Sequence, residues 1–400
     1  MYSVYQHWDP LKVCIVGRSY NPEFYSFITN ARVRVVMERI ARETEEDYQQ
    51  LIAVLNSFGV TVLRPNVFDD YRLYLNPTGK IRSPPMVPRD DSIMLGTDFY
   101  FNTNVQLRRN AKDNWSSIRK DHWPGTAPTN RDEWLSISDE IYDELFSIMI
   151  PDGVNSPAYT KLASDADYDK MTWGDVLATI QQAGNPIITG AGNRLSHYNA
   201  AETTRIGKDL YFGTHAALQH TAIMEGDFKG RFTDHRCHVL QTGGHSDGVF
   251  CPVKPGLIVS LHDLSNYEET FPGWEVVFLP NQSWELVKPF RDLKIKNYGK
   301  WWVPGEELND EFTEFVEGWL DHWVGFVEET VFDVNMLVID QQNVVCNNYN
   351  EKVFEAFERH GITPHVVNFR HRYFWDGGLH CITSDVHREG TQQDYFPERK

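Results

Sequence analysis

The chain lacks any uninterrupted apolar run approaching the roughly 18 residues that a membrane-spanning helix needs, and it has no block of basic residues. With a formal charge of −18, it offers nothing to grip nucleic-acid phosphates, which need clustered Lys and Arg. Nucleic acid and membrane are therefore not expected partners, and a cationic small molecule suits the charge better. The first residues, MYSVYQHWDPLKV, have neither the basic-then-apolar form of a secretory leader nor the Arg-rich, acid-poor form of a transit peptide, so a cytoplasmic location is expected. Cysteine is scarce. Five residues, odd in number and scattered, suit free thiols in a reducing compartment rather than a disulfide framework.

Metal and cofactor signatures are also missing. There is no CxxC and no HExxH; 235-HRCH-238 and 380-HC-381 place potential ligands close together, but alternate residues of a strand face opposite sides, so no metal is expected. The glycines of 190-GAGNRLSH-197 lack the third glycine of a dinucleotide fingerprint and the lysine of a P-loop. They read as a turn, and no cofactor is expected.

What is present is a chain of 400 residues, 41% hydrophobic and 13% aromatic, enough to bury a large core. It carries a weak internal repeat, in which a polar or acidic loop precedes an apolar strand, a turn and a second apolar strand. Four copies are visible, 90-DDSIMLGTDFYF-101, 201-AETTRIGKDLYFG-213, 245-HSDGVFCPVKPGLIVS-260 and 333-DVNMLVIDQQNVVC-346, each with turn residues between its strands. Between them come amphipathic helices and further strands. Tyr48, Leu51, Ile52 and Leu55 follow helical spacing before 59-GVTVLRP-65, and 353-VFEAFERHGITPHVVN-368 has the same shape. The segments 184-GNPIITG-190, 237-CHVLQTGG-244 and 273-GWEVVFLP-280 end their units similarly.

A fifth hairpin is missing from the middle, but 11-LKVCIVGRSY-20 and 379-LHCITSDV-386 would pair to close a ring of α/β units. This predicts one domain over residues 1–400, with insertions near 102–175 and 281–332. In the second of these, Phe312, Phe315, Val316, Trp319 and Trp323 make a helical apolar stripe that reads as core packing. The aromatics of 299-GKWWVP-304 serve an interface as well as a core, which leaves a homo-oligomer open. A ring would place the loop before each hairpin at a common centre.

Those loops carry the candidate chemistry. Cys14, Cys237, Cys251 and Cys346 sit in apolar runs and read as small core hydrophobes. Cys381, in 375-WDGGLHCITSDVHREG-390, instead follows two glycines and a histidine among small hydroxyl and acidic residues. In 242-TGGHSDG-248, His245 and Asp247 are two apart on an extended segment and can face the same way, with glycines that allow close approach of a ligand. Taken singly, His245 reads as a turn histidine and Asp90 as a loop acid or helix cap. Their repeated placement ahead of hairpins points to a nucleophilic cysteine with an acid–base histidine and carboxylates.

At these residues the sequence resembles the guanidino-group-modifying enzymes, most closely the glycine and inosamine-phosphate amidinotransferases. The likeness is carried by 8-WDPLKVCIVGR-18, 59-GVTVLRP-65, 88-PRD-90, 200-AAETTRIGKDLYF-212, the His-x-Asp of residues 245–247 with 254-KPGLIVS-260, and 377-GGLHCITSDVHREGT-391. The resemblance implies an α/β fold, the five-bladed pseudo-symmetric propeller of ββαβ units (pentein-like) closed by the N- and C-terminal strands. It also implies that Cys381 attacks the central carbon of a guanidine donor such as arginine to give a covalent amidino-cysteine. Asp90 and Asp247 would hold guanidinium N–H groups, His245 would act as general acid and then base, and Glu202 would orient His245. An amine would be the acceptor and no cofactor would be required.

The chain departs from the glycine-specific pattern. The arginine that grips the substrate carboxylate is aligned with Leu264, and a serine pair is replaced by Glu328 and Glu329, which become candidate substrate-binding acids. Both changes disfavour an anionic acceptor. A glutamate at Glu202 is found in the hydrolytic relatives, the arginine and agmatine deiminases, so water as acceptor is an open alternative, and a non-catalytic guanidine-binding protein is a third.

Overall fold

A computed structural model describes residues 1–74, 81–101, 165–189, 194–195, 199–214, 218–242, 245–261, 266–279, 303–306, 308–320 and 333–399. The four hairpins stand where the repeat places them. Strand β3 (Ser92–Leu95) pairs antiparallel with β4 (Asp98–Phe101), and β6 (Thr203–Ile206) does the same with β7 (Asp209–Gly213). So do β9 (Phe250–Lys254) with β10 (Leu257–Ser260) and β12 (Leu337–Asp340) with β13 (Asn343–Cys346). Turn chemistry decides these pairings: Gly207, between β6 and β7, has φ +63°, and a Cβ there would lie 2.1 Å from the Gln393 carbonyl oxygen. Only glycine fits.

Each second strand then pairs in parallel with a third after a crossover, as antiparallel hairpins alone cannot do. The third strands are β5 (Ile187–Ile188), β8 (Arg236–Leu240), β11 (Glu275–Phe278) and β14 (Thr363–Val366). The fifth sheet is assembled from both ends of the chain: β15 (Thr383–Arg388) pairs antiparallel with β1 (Leu11–Val16), which runs parallel to β2 (Thr61–Leu63). The architecture is thus five three-stranded sheets of one repeated topology. Among the described residues no sheet closes on itself.

The crossovers are helices where the sequence supplies caps and a stripe. Helix α1 (Ala31–Ser57) joins β1 to β2; the Asn30 side chain accepts from the Arg32 and Val33 amides, and a buried row runs from Val33 through Met37, Ile40, Tyr48 and Leu51 to Leu55. Helices α2 (Asp165–Gln182) and α3 (Leu218–Arg231) precede β5 and β8. Helix α4 (Asp310–Trp319) carries the buried Phe312, Phe315 and Val316 of the expected stripe, but Trp319 at its end is exposed rather than core, and Trp323 lies outside the described residues. Helix α5 (Glu351–Arg359) is capped by Asn350 and leads to β14. Since α2 supplies the crossover of the β3–β4–β5 unit, the end of the 102–175 segment belongs to the repeat. Its charged first third, DADYDK, hid a stripe made by Trp173, Val176 and Ile180. No helix among the described residues is long and apolar enough to cross a membrane.

Between the sheets lies a buried ionic cluster. Asp385 of β15 receives Arg205 Nη2 of β6 at 2.6 and 2.8 Å, Arg89 Nη1 at 2.7 Å and Arg388 Nε at 2.6 Å. All four side chains are at most 2% exposed. The guanidinium groups also reach backbone carbonyls of separate sheets, Arg205 to Met94 of β3, Arg388 to Val338 of β12 and Arg89 to Thr383 of β15. Burial alone would raise the Asp385 pKa, but the charges of Arg205, Arg89 and Arg388 outweigh it and hold the carboxyl well below its ordinary range.

Removing this one anion leaves three guanidinium groups buried without a counter-charge, so Asp385→Asn is expected to cost about 3–5 kcal/mol at neutral pH, read from urea denaturation. Because the folded-state pKa is depressed, the deficit is present in full above the unfolded carboxyl value of about 3.9 and shrinks as pH falls toward the folded value. A loss under about 1 kcal/mol would contradict the role given to Asp385.

Candidate active site

Every one of the five sheets contributes the residues that immediately precede its first strand. Asp90 lies in the single helical turn Pro88–Asp91 before β3, and Glu202 in the turn Ala200–Glu202 before β6. Asp247 lies in the turn Ser246–Gly248 before β9, with His245 the extended residue that leads into it; Asn335 stands just ahead of β12, and Cys381 just ahead of β15. The short turns shift the chain out of extended conformation and aim these side chains at one another. Hydrogen bonds tie the turns together: Thr204 Oγ1 to Ser246 Oγ at 3.0 Å, Ser246 Oγ to the Ala201 carbonyl at 3.1 Å, and the Arg89 amide to the Cys381 carbonyl at 3.3 Å.

Cys381 is only 2% exposed. Its Sγ lies 3.1 Å from Asn335 Nδ2 and 3.5 Å from Asp247 Oδ2, between an amide donor that favours the thiolate and a carboxylate that favours the thiol. Asn335 also accepts from the amides of His380 and Cys381 at 2.8 and 3.0 Å and donates to the Asp247 carbonyl at 3.2 Å. This carboxamide fits because its neighbour is Gly378, where a Cβ would fall 2.6 Å from Asn335 Oδ1.

Asp247 is 6% exposed and its Oδ2 accepts from His380 Nδ1 at 2.7 Å. Its Oδ1 is buried and accepts no hydrogen bond among the described residues. Desolvation pushes its pKa up, but the hydrogen bond from His380 and the electrostatic pull of His380, His245 and Arg89 hold it below the ordinary value, which favours the ionised carboxylate. His380 is shifted down, first by burial and then by Arg89, against the pull of Asp247. His7, whose ring centroid lies 5.7 Å from that of His380, is held well below its usual pKa by burial and the charge of Arg205, and its Nε2 accepts from the Arg205 amide.

His245 lies on the more open side. Asn199 Oδ1 is engaged by the Ala201 amide, so Asn199 Nδ2 is the donor to His245 Nε2 at 3.0 Å, which leaves the Nδ1 proton facing Asp90 Oδ1 at 3.8 Å. Glu202 Oε2 accepts from the Asn199 amide at 3.1 Å in a reciprocal cap, so this link from Glu202 to His245 runs through Asn199. The structure thus brings together Cys381, His245, Asp247, Asp90 and Glu202. Glu328, Glu329 and Leu264 lie outside the described residues, as do Trp301 and Trp302.

Two residues were missed by sequence reasoning, Asn335 and His380. Asn335 was findable, because it holds in 333-DVNMLVID-340 the place ahead of a hairpin that the other loops use. His380 reads from the sequence only as a potential metal ligand beside Cys381, and nothing local in the sequence points to Asp247. The HRCH segment opens β8, where Arg236 and His238 bond Asp209 at 2.6 and 2.7 Å and Cys237 is fully buried. Among the described residues no group of three His, Cys, Asp or Glu is placed to hold a metal.

Burial pushes the thiols of Cys14, Cys237 and Cys251 up to about 12 and that of Cys346 well above its usual value. Iodoacetamide near neutral pH is therefore expected to mark Cys381 ahead of the other four, read by peptide mapping, since only the thiolate reacts. Equal labelling of several cysteines would contradict a singled-out Cys381.

No family model matches the chain. The mitochondrial glycine amidinotransferase of Xenopus tropicalis is 23% identical over 417 residues, covering 98% of this chain and 84% of its own. Inosamine-phosphate amidinotransferase 1 of Streptomyces griseus is 23% identical over 430 residues, covering 98% and 99%. Two solved structures share the fold over 99% of both chains: an amidinotransferase of saxitoxin biosynthesis from Microseira wollei, with TM-score 0.58 at 16% identity, and the S. griseus inosamine-phosphate enzyme, with TM-score 0.57 at 17% identity. The resemblance read from the motifs thus extends along nearly the whole chain, which is similar in sequence to the glycine and inosamine-phosphate amidinotransferases and shares the fold of the solved members.

Proposed function

We propose that the chain moves an amidino group from arginine or a related guanidine to an amine through a covalent amidino-cysteine. The observation that carries this reading is Asp247: an ionised, buried carboxylate with one oxygen unpartnered, whose other oxygen lies 3.5 Å from a cysteine sulfur. Such an acceptor calls for a buried cationic donor, and a planar guanidinium offers paired N–H groups to it and to Asp90. The Cys381 sulfur attacks the central guanidinium carbon, that carbon's bond to the donor nitrogen breaks, and His245 delivers a proton to the departing amine. The acceptor amine then attacks the amidino carbon, the C–S bond breaks, and His245 takes the proton as the thiolate is restored. Glu202 steadies His245 through Asn199.

The finer architecture belongs to the same reading. With β15 and β1 pairing the chain ends, the five sheets form the blades of a ring whose centre is this site. The five free thiols suit a reducing compartment, which we take to be the cytosol, with cell fractionation as the check. For the acceptor, Leu264 in place of an arginine and the added acids Glu328 and Glu329 favour an amine without a carboxylate.

Incubation with arginine and a panel of amines is expected to give guanidino products, and intact mass after quenching with donor alone is expected to rise by one amidino group. Cys381→Ser abolishes that rise and Cys251→Ser does not. Citrulline and ammonia as sole products, whatever amine is added, would replace transfer by hydrolysis, and no turnover with any guanidine would leave a binding protein. Among acceptors, a diamine is expected to exceed glycine in kcat/KM; glycine better by about tenfold, or about 1.4 kcal/mol, would overturn the acceptor assignment.

A further inference from the structure

We propose that His380 is a positioning residue, whose neutral imidazole donates a hydrogen bond through Nδ1 that fixes the Asp247 carboxylate and keeps the Asp247–Cys381 pair short of one proton. The proposal rests on the reading of Asp247 as the guanidinium acceptor. Its substance is how that acid stays ionised 3.5 Å from a thiol.

The geometry assigns the proton. Asp247 Oδ2 is an acceptor, so the 2.7 Å contact makes His380 Nδ1 the donor. Asn335 holds the His380 amide at 2.8 Å and the Asp247 carbonyl at 3.2 Å, so one carboxamide sets both ends of this contact. Oδ2 is the same oxygen that faces Cys381 Sγ. Engaged by a full donor at 2.7 Å, it is a poorer acceptor for the thiol proton, while Oδ1 stays clear for a ligand.

Burial and the charge of Arg89 disfavour the charged form of this imidazole. Arg89 acts from the turn before β3, Arg205 lies on β6, and Arg388 and Asp385 are on β15. Asp247 lies in the turn before β9 with His245 leading into it, and His7 comes from the N-terminal segment. The pKa of His380 is lowered first by burial and then by Arg89, against the pull of Asp247 and Asp385, so a cation there is opposed. His380 thus remains a donor without becoming a rival to His245 in acid–base work.

Without the Nδ1 donor the Asp247–Cys381 pair holds its proton to higher pH, because a hydrogen bond to the ionised form is what lowers a carboxyl pKa. His380→Leu removes the donor at similar volume. His380→Asn keeps one, since Asn Nδ2, like His Nδ1, is bonded to Cγ.

The experiment follows Cys381 alkylation by iodoacetamide against pH in the free wild-type protein and in both variants, with kcat/KM for arginine against pH alongside. In His380→Leu the alkylation midpoint and the acid limb of kcat/KM are expected to move up by about one pH unit, with most of the loss at neutral pH in KM. His380→Asn is expected to keep both midpoints near wild type. Unmoved midpoints in His380→Leu, or equal shifts in the two variants, would overturn the proposal, the latter because packing rather than the donor would then be responsible. Should His380→Leu not fold, His380→Asn decides alone: a folded Asn variant displaced by a full unit refutes the donor role, and one with wild-type midpoints upholds it. Alkylation needs no transfer chemistry, so failure of the catalytic reading and failure of this one are told apart.

Discussion

The structure depends on one buried anion. Asp385 sits on the C-terminal strand and collects three arginines whose other N–H groups reach backbone carbonyls of β3, β12 and β15. The hairpins themselves are local and need only their turns, but sheets of three short strands bury little on their own. What sets one sheet against the next at the centre is a set of charges that are tolerable out of water only when all are in place. The arrangement confers specificity more than net stability, since a misplaced sheet would leave a buried guanidinium without its partner.

The same cluster shapes the chemistry above it. Three guanidinium groups against one aspartate leave a positive surplus near Asp247, His380 and His7: burial and then arginine charge lower the pKa of both imidazoles, and Arg89 helps hold the carboxylate below its ordinary value. Arg89 joins the two levels directly, since its side chain holds Asp385 and its backbone amide holds the Cys381 carbonyl. The residue after it is Asp90. An acid of the candidate site is thus adjacent in sequence to an arginine that the core locks in place, which limits how far either can move.

Within the site, positions equivalent in the repeat have taken different tasks. The residue ahead of a first strand is an acid at Asp90, Glu202 and Asp247, a carboxamide at Asn335 and a thiol at Cys381. Asn335 acts through the others: it touches the sulfur, the two amides beside it and the loop of Asp247. The setting of Cys381 therefore comes from four hydrogen bonds to one neutral side chain, made possible by the missing Cβ of Gly378.

The sequence by itself determined the hairpins, the crossover strands, the pairing of the two chain ends and the loops that hold Cys381, His245, Asp247, Asp90 and Glu202. Each of these is written in short-range terms: alternation, turn glycines, asparagine caps, and a motif repeated ahead of strands. Helix α2 was partly hidden because its first turns are charged. Tertiary structure alone decided that His380 serves Asp247 across 133 residues, that Glu202 reaches His245 by way of Asn199, and that the arginines of PRD, TTRI and SDVHR converge on one aspartate. The physical reason is that strand period and turn type depend on neighbours along the chain, whereas a hydrogen bond to a buried carboxylate depends on which side chains the packed sheets bring within about 3 Å.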